Sequence, residues 1–407
     1  MIHEADAVVI GAGALGASAA YHLAQQGKRV ALLDRHAIAS QTSPRAAGLT
    51  QQIRSDELST RLAMRAVQQI ERFAEETGQP LEFHQSGSIK LARTHEYAEQ
   101  IQEEVRRGQA MGLDIRAIDK AESRELAPFL EPEAALAIWY TASDLFQEPG
   151  HLPLASARAA EARGATILPH TAVTAIGTRD GAIERVITDQ GEIRTPVVVD
   201  AAGAWTRVVG EMTGIRVPVV PTRHQLYITQ PIPITNPTQP IVRVLDVNVY
   251  VRPERGGLML GGYEPDPLQV DPATLPSDFQ IADLALDFAP LRRLTDSVRD
   301  QFPILQDAPI AEYRGGLPTM TADGLYLVDH VPGVQGFYVA SGCCVGGLSI
   351  SPSIGEALAL WIATGHPPLD LSPYRLTRFP ATLDSDARLQ EACLWRYAHH
   401  YSAAAHA

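Results

Sequence analysis

The sequence predicts an α/β fold: a parallel nucleotide-binding sheet flanked by helices, with a mostly antiparallel layer inserted into it. Three observations predict it. Residues 6–10 are a short apolar run, followed at once by Gly11-Ala12-Gly13-Ala14-Leu15-Gly16 and an Ala-, Leu- and Gln-rich stretch over 17–26. Residues 28–33 lead into a second acid-tipped apolar run that ends at Asp34. From 217 to 262 the pattern becomes proline-rich with alternating apolar residues, which reads as antiparallel strands.

The first two observations place G-x-G-x-x-G in the context that gives it meaning: strand before, helix after, carboxylate beyond the second strand. Gly11 permits the tight turn, Gly13 lets backbone approach a pyrophosphate, and Gly16 lets helix and strand pack closely. The helix over 17–26, just beyond Leu15 and Gly16, offers free N–H groups and a positive dipole end to phosphates. Asp34, with Arg35 beside it, is placed to accept hydrogen bonds from a ribose diol. Taken alone, this unit is compatible with either NAD or FAD.

Composition narrows the class. With 34 basic and 47 acidic side chains the formal charge is −13, and no long basic run interrupts it, so nucleic acid is not an expected partner. Apolar runs are strand-length, so no membrane span is expected. Residues 1–6 lack the basic start and apolar core of a signal peptide, and a cytoplasmic protein is expected. Cys343, Cys344 and Cys393 imply no disulfide framework, because adjacent cysteines rarely form structural bridges. No metal-ligand pattern is read.

Residues 35–47, rich in Ser, Thr and Ala, form a loop carrying Thr42, Ser43 and Arg45 toward the middle of the cofactor. Helices are predicted over 58–76, 96–111, 119–126 and 151–163, and strands over 81–92, 138–140, 166–169 and 171–176, the last including Val173. A hairpin joins 185–188 to 191–193. Residues 195–200 are a β-branched strand running into Ala201-Ala202-Gly203-Ala204-Trp205, whose small residues suit close approach to a nucleotide. Strands follow at 225–229, 247–252 and 258–262, a helix within 276–302, and strands at 311–317, 325–328 and 336–340. A second glycine-rich turn, 341–347, precedes a helix over 353–364. The expected division is a discontinuous cofactor domain (1–84, 146–216, 311–380), a substrate domain (85–145, 217–310) and a C-terminal helix with an Ala-rich end (381–407).

Gly11 to Gly16 with Asp34, the 201–205 segment and the 342–355 segment resemble the FAD-dependent amine and amino-acid oxidoreductases, the family of D-amino-acid oxidase, glycine oxidase and sarcosine oxidase. Ala46-Ala47-Gly48-Leu49, Glu75-Glu76-Thr77-Gly78, Gln85-Ser86-Gly87-Ser88-Ile89, His224-Gln225 and Gly261-Gly262-Tyr263-Glu264-Pro265 are similar to the flavin half of sarcosine and dimethylglycine dehydrogenases. The likeness covers about residues 5–379. It implies FAD rather than NAD, held by the residues named above together with Ala47, Gly48, Leu49, Ala202, Gly203, Trp205, Gly342, Gly346, Gly347, Leu348 and Ser349. Arg45 stands where those dehydrogenases carry a flavin-linked histidine, and Gly316 where monomeric sarcosine oxidase carries a flavin-linked cysteine, so FAD is expected to be non-covalent. The chain ends at Ala407 without the folate-binding half of the longer dehydrogenases, so free formaldehyde is the expected product of an N-demethylation.

The resemblance also implies the chemistry. Arg54 is expected to hold a substrate carboxylate, for which the planar guanidinium fork is suited. The competing reading is a surface arginine paired with Ser55-Asp56-Glu57. Ser349 replaces a lysine that completes carboxylate binding in sarcosine oxidase. His224 and Tyr250 match active-site positions of dimethylglycine-oxidising relatives, with His224 read as a near-neutral base and Tyr250 as its orienter or a substrate ligand. The competing reading is two strand residues with satisfied polar ends. Asp246, four residues before Tyr250, falls on the same strand face if that strand is regular and could then bind an amine, but a turn or salt-bridge role is favoured. His170, His330 and His366 are read as structural or solvent-exposed. Met259 stands where sarcosine oxidase uses a lysine to activate oxygen, which favours a dehydrogenase. The expected activity is oxidation of the C–N bond of an N-methyl or N-alkyl amino acid, with electrons passed to O2 or another acceptor. Alternatives are another amine (an N-substituted phosphonate, a specialised-metabolite amine, a cyclic imino acid) or a flavin-carrying subunit of a hetero-oligomer.

Overall fold

Strands buried at every position need cover on both faces, and here helices supply it. The computed structural model describes residues 2–402. Strands β1 (Ala7–Ile10) and β2 (Val30–Leu33) are buried throughout and lie side by side in parallel. They sit in a six-stranded sheet whose order is Leu327–His330, Phe337–Ser341, Val198–Asp200, β1, β2, Thr166–Leu168. Only the Leu327–His330 edge runs antiparallel. The far end of the chain thus completes the N-terminal nucleotide fold, as the sequence predicts.

Helix α1 (Ala14–Gln25) crosses the helix Gly347–Thr364 on one face of this sheet. At the crossing a Cβ on Gly355 would come within 2.2 Å of Ser18 Oγ, so the two helices meet backbone to backbone. The second helix begins six residues before the predicted one, because Pro352 lies inside it. Proline at 352 cannot donate to the carbonyl of Leu348. The Ser351 hydroxyl donates to that carbonyl instead, at 3.2 Å.

The inserted layer is an eight-stranded sheet, ordered Ile310–Gly316, His224–Thr229, Gly257–Gly262, Val249–Glu254, Ile241–Val244, Ser88–Ala92, Ala137–Thr141, Ile115–Ala117. Both inserted stretches therefore merge into one sheet, joined by the parallel pairing of Ile241–Val244 with Ser88–Ala92. Three elements of this sheet differ from expectation, one of them the edge strand Ile115–Ala117, for which no strand is predicted between the helices over 96–111 and 119–126. Residues 310–316 pair with 224–229, His224 opposite Gly316, and so belong to this sheet rather than to the return of the parallel one. Strand Ile241–Val244 has no counterpart in the prediction, because four residues interrupted by an arginine carry no readable alternation.

Helix α2 (Glu57–Thr77) is capped by Asp56, whose carboxylate accepts the Ser59 N–H at 2.8 Å, and ends at Gly78 in the left-handed conformation. The C-terminal helix spans Asp386–Ala398, and the predicted Ala-rich end, 403–407, lies outside the described residues. Among the described residues no helix is long and apolar enough to cross a membrane.

Candidate active site

Two cavities open in front of the helix N-termini and meet at Gly13, Thr42, Ser43, Ala201 and Gly203. The first-named glycine turn sits at their junction. Gly11 holds φ at +100°, and a Cβ on Gly16 would lie 1.8 Å from the Gly11 carbonyl oxygen. The Asp34 carboxylate pins this turn: one oxygen accepts the Ala12 N–H at 2.7 Å and the other the His36 N–H at 2.8 Å. It also borders the cavity, and each oxygen retains a further lone pair beyond its backbone partner. Gly11, Arg35, Val173, Ala202 and Trp205 line the same end, with the Arg35 guanidinium 5.6 Å from the Trp205 ring centroid.

The other cavity is lined by Leu15, Arg45, Ala47, Gly48 and Leu49 on one side and by Gly346, Gly347, Leu348 and Ser349 on the other. Arg45 donates at 2.6 Å to the carbonyls of Ser40 and Gln41 and so clamps the loop at the junction. Two predicted positions do not line either cavity. Gly16 is enclosed between helix and strand, and Gly342, at φ +62°, turns the chain behind the wall against Thr321.

Arg54 enters this second cavity from the loop before α2, not from a strand. Its Nη2 donates to Ser349 Oγ at 2.6 Å, and Ser349 donates in turn to the Gly346 carbonyl at 2.7 Å. The acids beside it are otherwise engaged, Asp56 as the helix cap and Glu57 with Arg61. The surface reading therefore fails. Arg54 Nε is buried with no hydrogen-bond partner among the described residues.

His224 and Tyr250 also line this cavity and are bonded to each other, Nε2 to hydroxyl, at 2.9 Å. His224 Nδ1 meets the hydroxyl of Tyr397, on the C-terminal helix, at 2.7 Å. Burial pushes the His224 imidazole down to about 4 and the Tyr250 phenol well up. His224 is thus a neutral ring locked between two phenols, which corrects the near-neutral base expected from sequence: a strand residue covered by the C-terminal helix loses the water that would solvate an imidazolium. Asp246 takes the turn and salt-bridge role that the sequence favours over amine binding. It lies in a turn, not on the strand of Tyr250, and pairs with Arg93 at 2.7 Å. Met259 is fully buried, packed with Leu226 and Ile228 against Ala47. His330 Nε2 accepts the Gly336 N–H, a structural bond.

Sequence reasoning missed several lining residues, Arg243, His400 and Tyr401 among them. Arg243 comes from the unpredicted strand Ile241–Val244. His400 and Tyr401 come from the supposed tail, where His400 stacks on Tyr263 with centroids 3.8 Å apart. The one available signal was the aromatic density of Trp395-Arg396-Tyr397-Ala398-His399-His400-Tyr401, unusual for a frayed end.

Residues 6–361 match the family model described as FAD dependent oxidoreductase. The chain belongs to this family. It is 31% identical to mitochondrial sarcosine dehydrogenase of Mus musculus over 98% of this chain and 44% of that protein. It is also 31% identical to mitochondrial dimethylglycine dehydrogenase of Rattus norvegicus, over 96% of this chain and 47% of that protein. The chain thus spans about half the length of these curated relatives. The solved structure of L-proline dehydrogenase from P. horikoshii superposes with a TM-score of 0.84 at 26% identity, covering 93% of this chain and 98% of that one.

The cavities of this FAD-dependent oxidoreductase fit an extended dinucleotide. Two helix N-termini, of α1 and of Gly347–Thr364, face its two halves. No acidic side chain is among the described residues lining the half that holds Arg54. A Cβ at Gly13 would fill the groove beside Ser43 Oγ, 3.2 Å away.

The buried histidines predict a pH dependence. His224 and His400 both titrate below their ordinary value of 6.5, so the unfolded chain binds more protons as pH falls below about 6.5. The histidines' contribution is therefore full above that pH and is lost as pH drops toward about 4, while Glu264, whose carboxyl is raised by burial to about 7, acts in the opposite sense. His224→Gln is expected to remove the His224 part of the acid-side loss, so that between pH 7.5 and 5 its melting temperature shifts less toward instability than that of the native flavin-loaded protein. Parallel curves for the two proteins would contradict the assignment.

Proposed function

We propose that this oxidoreductase oxidises the C–N bond of a secondary or tertiary amino acid, an N-methyl or N-alkyl compound, and does so as a dehydrogenase with non-covalent FAD. The observation that carries it is Arg54: a guanidinium with no acid partner among the described residues, braced by Ser349 at the helix N-terminus that faces the cavity. Its fork suits a substrate carboxylate. Names of the relatives, sarcosine and dimethylglycine dehydrogenase, support the class.

Bound FAD supplies a two-electron acceptor for the hydride leaving the carbon next to nitrogen. The chain's own residues prepare the amine. His224 held neutral and Tyr250 held protonated make a pocket with no counter-charge for an ammonium, so the substrate sheds its proton to solvent on entry. The freed lone pair then forms the C=N bond as the hydride departs. Arg54 holds the substrate carboxylate, and Tyr250 borders the reacting amine. Water adds to the imine carbon, the C–N bond breaks, and an aldehyde and a dealkylated amine leave.

Met259, apolar and buried, places no cation in the cavity, which supports an acceptor other than O2. Arg45 and Gly316 offer no nucleophile for a flavin bond, and burial pushes the Cys343 thiol up, away from its thiolate. Anaerobic mixing with a panel of N-methyl amino acids is expected to bleach the flavin absorbance. The panel includes proline, because a solved relative is named L-proline dehydrogenase. Bleaching by none of them would remove the proposal. Denaturation is expected to release the flavin into the supernatant, and colour retained in the pellet would overturn the non-covalent assignment.

A further inference from the structure

Arg243 stands at the middle of Ile241–Val244, in register opposite Tyr250 and beside Lys90. It is 3% exposed. Burying a guanidinium without a counter-ion is costly, and structural cations in protein interiors are paired. Its neighbours obey that rule: Lys90 pairs with Glu104, and Arg93 with Asp246. Arg243 does not. Among the described residues no carboxylate pairs with it, its Nη1 has no hydrogen-bond partner, and its polar contact is the Tyr401 hydroxyl. It borders the same cavity as Arg54, in which no described lining residue is acidic. The two arginines come from different layers, Arg54 from the loop ahead of α2 and Arg243 from the eight-stranded sheet. Each acts on both His400 and Tyr401, so both charges bear on one compartment. A substrate with a single carboxylate neutralises one of these cations and leaves the other buried and bare.

We propose that Arg243 is a second anion anchor, so that the substrate is an N-substituted amino acid with two carboxylates, one on Arg54 and the distal one on Arg243. This rests on the amine-oxidation reading of the same cavity. His400 and Tyr401, carried in by the C-terminal segment, close the compartment around the distal group, so the end of the chain takes part in choosing the substrate.

The test uses the full FAD-loaded chain and two redox-inert thioethers, methylthioacetate with one carboxylate and thiodiacetate with two. Perturbation of the flavin absorbance reads their dissociation constants. Thiodiacetate is expected to bind about tenfold tighter or more, the factor one charged hydrogen bond provides. Arg243→Met is expected to erase that preference and leave methylthioacetate little changed, and Arg243→Lys to retain part of it. Arg54→Met weakens both ligands. Flavin content and melting temperature of each variant verify that it folds. Equal affinity for the two thioethers in the native protein would overturn the proposal, as would an Arg243→Met loss that is the same for both. Anaerobic bleaching by N-methylaspartate over N-methylalanine extends the test to turnover. If no amine bleaches the flavin while thiodiacetate binds in an Arg243-dependent way, the second anchor stands and the amine-oxidation reading falls. If amines bleach it and the thioethers do not differ, the reverse holds.

Discussion

Replacing Gly16 with alanine is expected to yield a chain that retains no flavin and melts well below the native protein. A Cβ at this position would lie 1.8 Å from the Gly11 carbonyl oxygen and 3.2 Å from the Ala201 methyl. The first obstacle is backbone, so no rotamer change relieves it. Either α1 lifts away from β1 or Gly11 leaves its φ of +100°. Both routes break the cradle, because Ala12 is held by Asp34 and Ala14 by Ser43. Overpacking a core site typically costs ~1–3 kcal/mol, and so close a backbone contact falls at or beyond the upper end. Gly13→Ala is the informative contrast. Its Cβ would meet only the Ser43 hydroxyl, at 3.2 Å, and otherwise project into the cavity. That variant is expected to fold with a near-native apo melting temperature while losing flavin. Flavin absorbance per mole of purified protein and circular dichroism melts separate the two. A Gly16→Ala protein with a full flavin complement would refute the packing account.

Arg54→Met is expected to lower the rate of anaerobic flavin reduction over Kd by roughly 10- to 100-fold for a carboxylate substrate. That factor corresponds to the ~1.5–3 kcal/mol of a charge-assisted hydrogen bond. Methionine keeps most of the stem's volume, so lost packing contributes little. Arg54→Lys recovers only part, since an ammonium cannot make two parallel bonds to one carboxylate. Ser349→Ala costs less than either, because Ser349 holds Arg54 Nη2 rather than the substrate. Flavin content stays unchanged in all three. An amine lacking a carboxylate reports specificity: Arg54→Met should leave its reduction nearly as in the native protein. Equal losses for acid and non-acid amines would mean that Arg54 shapes the cavity without binding the substrate.

The glycine turn was legible because its physics is local. Gly11, Gly13 and Gly16 act within six residues of each other, and a strand, a turn and a helix supply their context. The Arg54 position was legible only by resemblance, and its decisive feature, the bond to Ser349, spans 295 residues. His224 shows the opposite failure. Its place in the cavity was expected, but its charge was not, because its solvation depends on Tyr397, 173 residues away. Arg243 was silent. A lone arginine between valines has no periodicity to announce it, and its lack of a partner is a fact about every element packed around it.

The sequence by itself determined the parallel nucleotide-binding sheet, the two glycine-rich turns and the family, since each rests on apolar runs and short-range turn chemistry. Most of the site residues it predicted line the two cavities. Only the tertiary structure decided which charges are compensated. Pairing Lys90 with Glu104 and Arg93 with Asp246, while leaving Arg54 and Arg243 facing one cavity without an acid, follows from how two sheets and a C-terminal segment come together. Burial and counter-ions are long-range properties, and they set both the protonation of His224 and the charge that a substrate must bring.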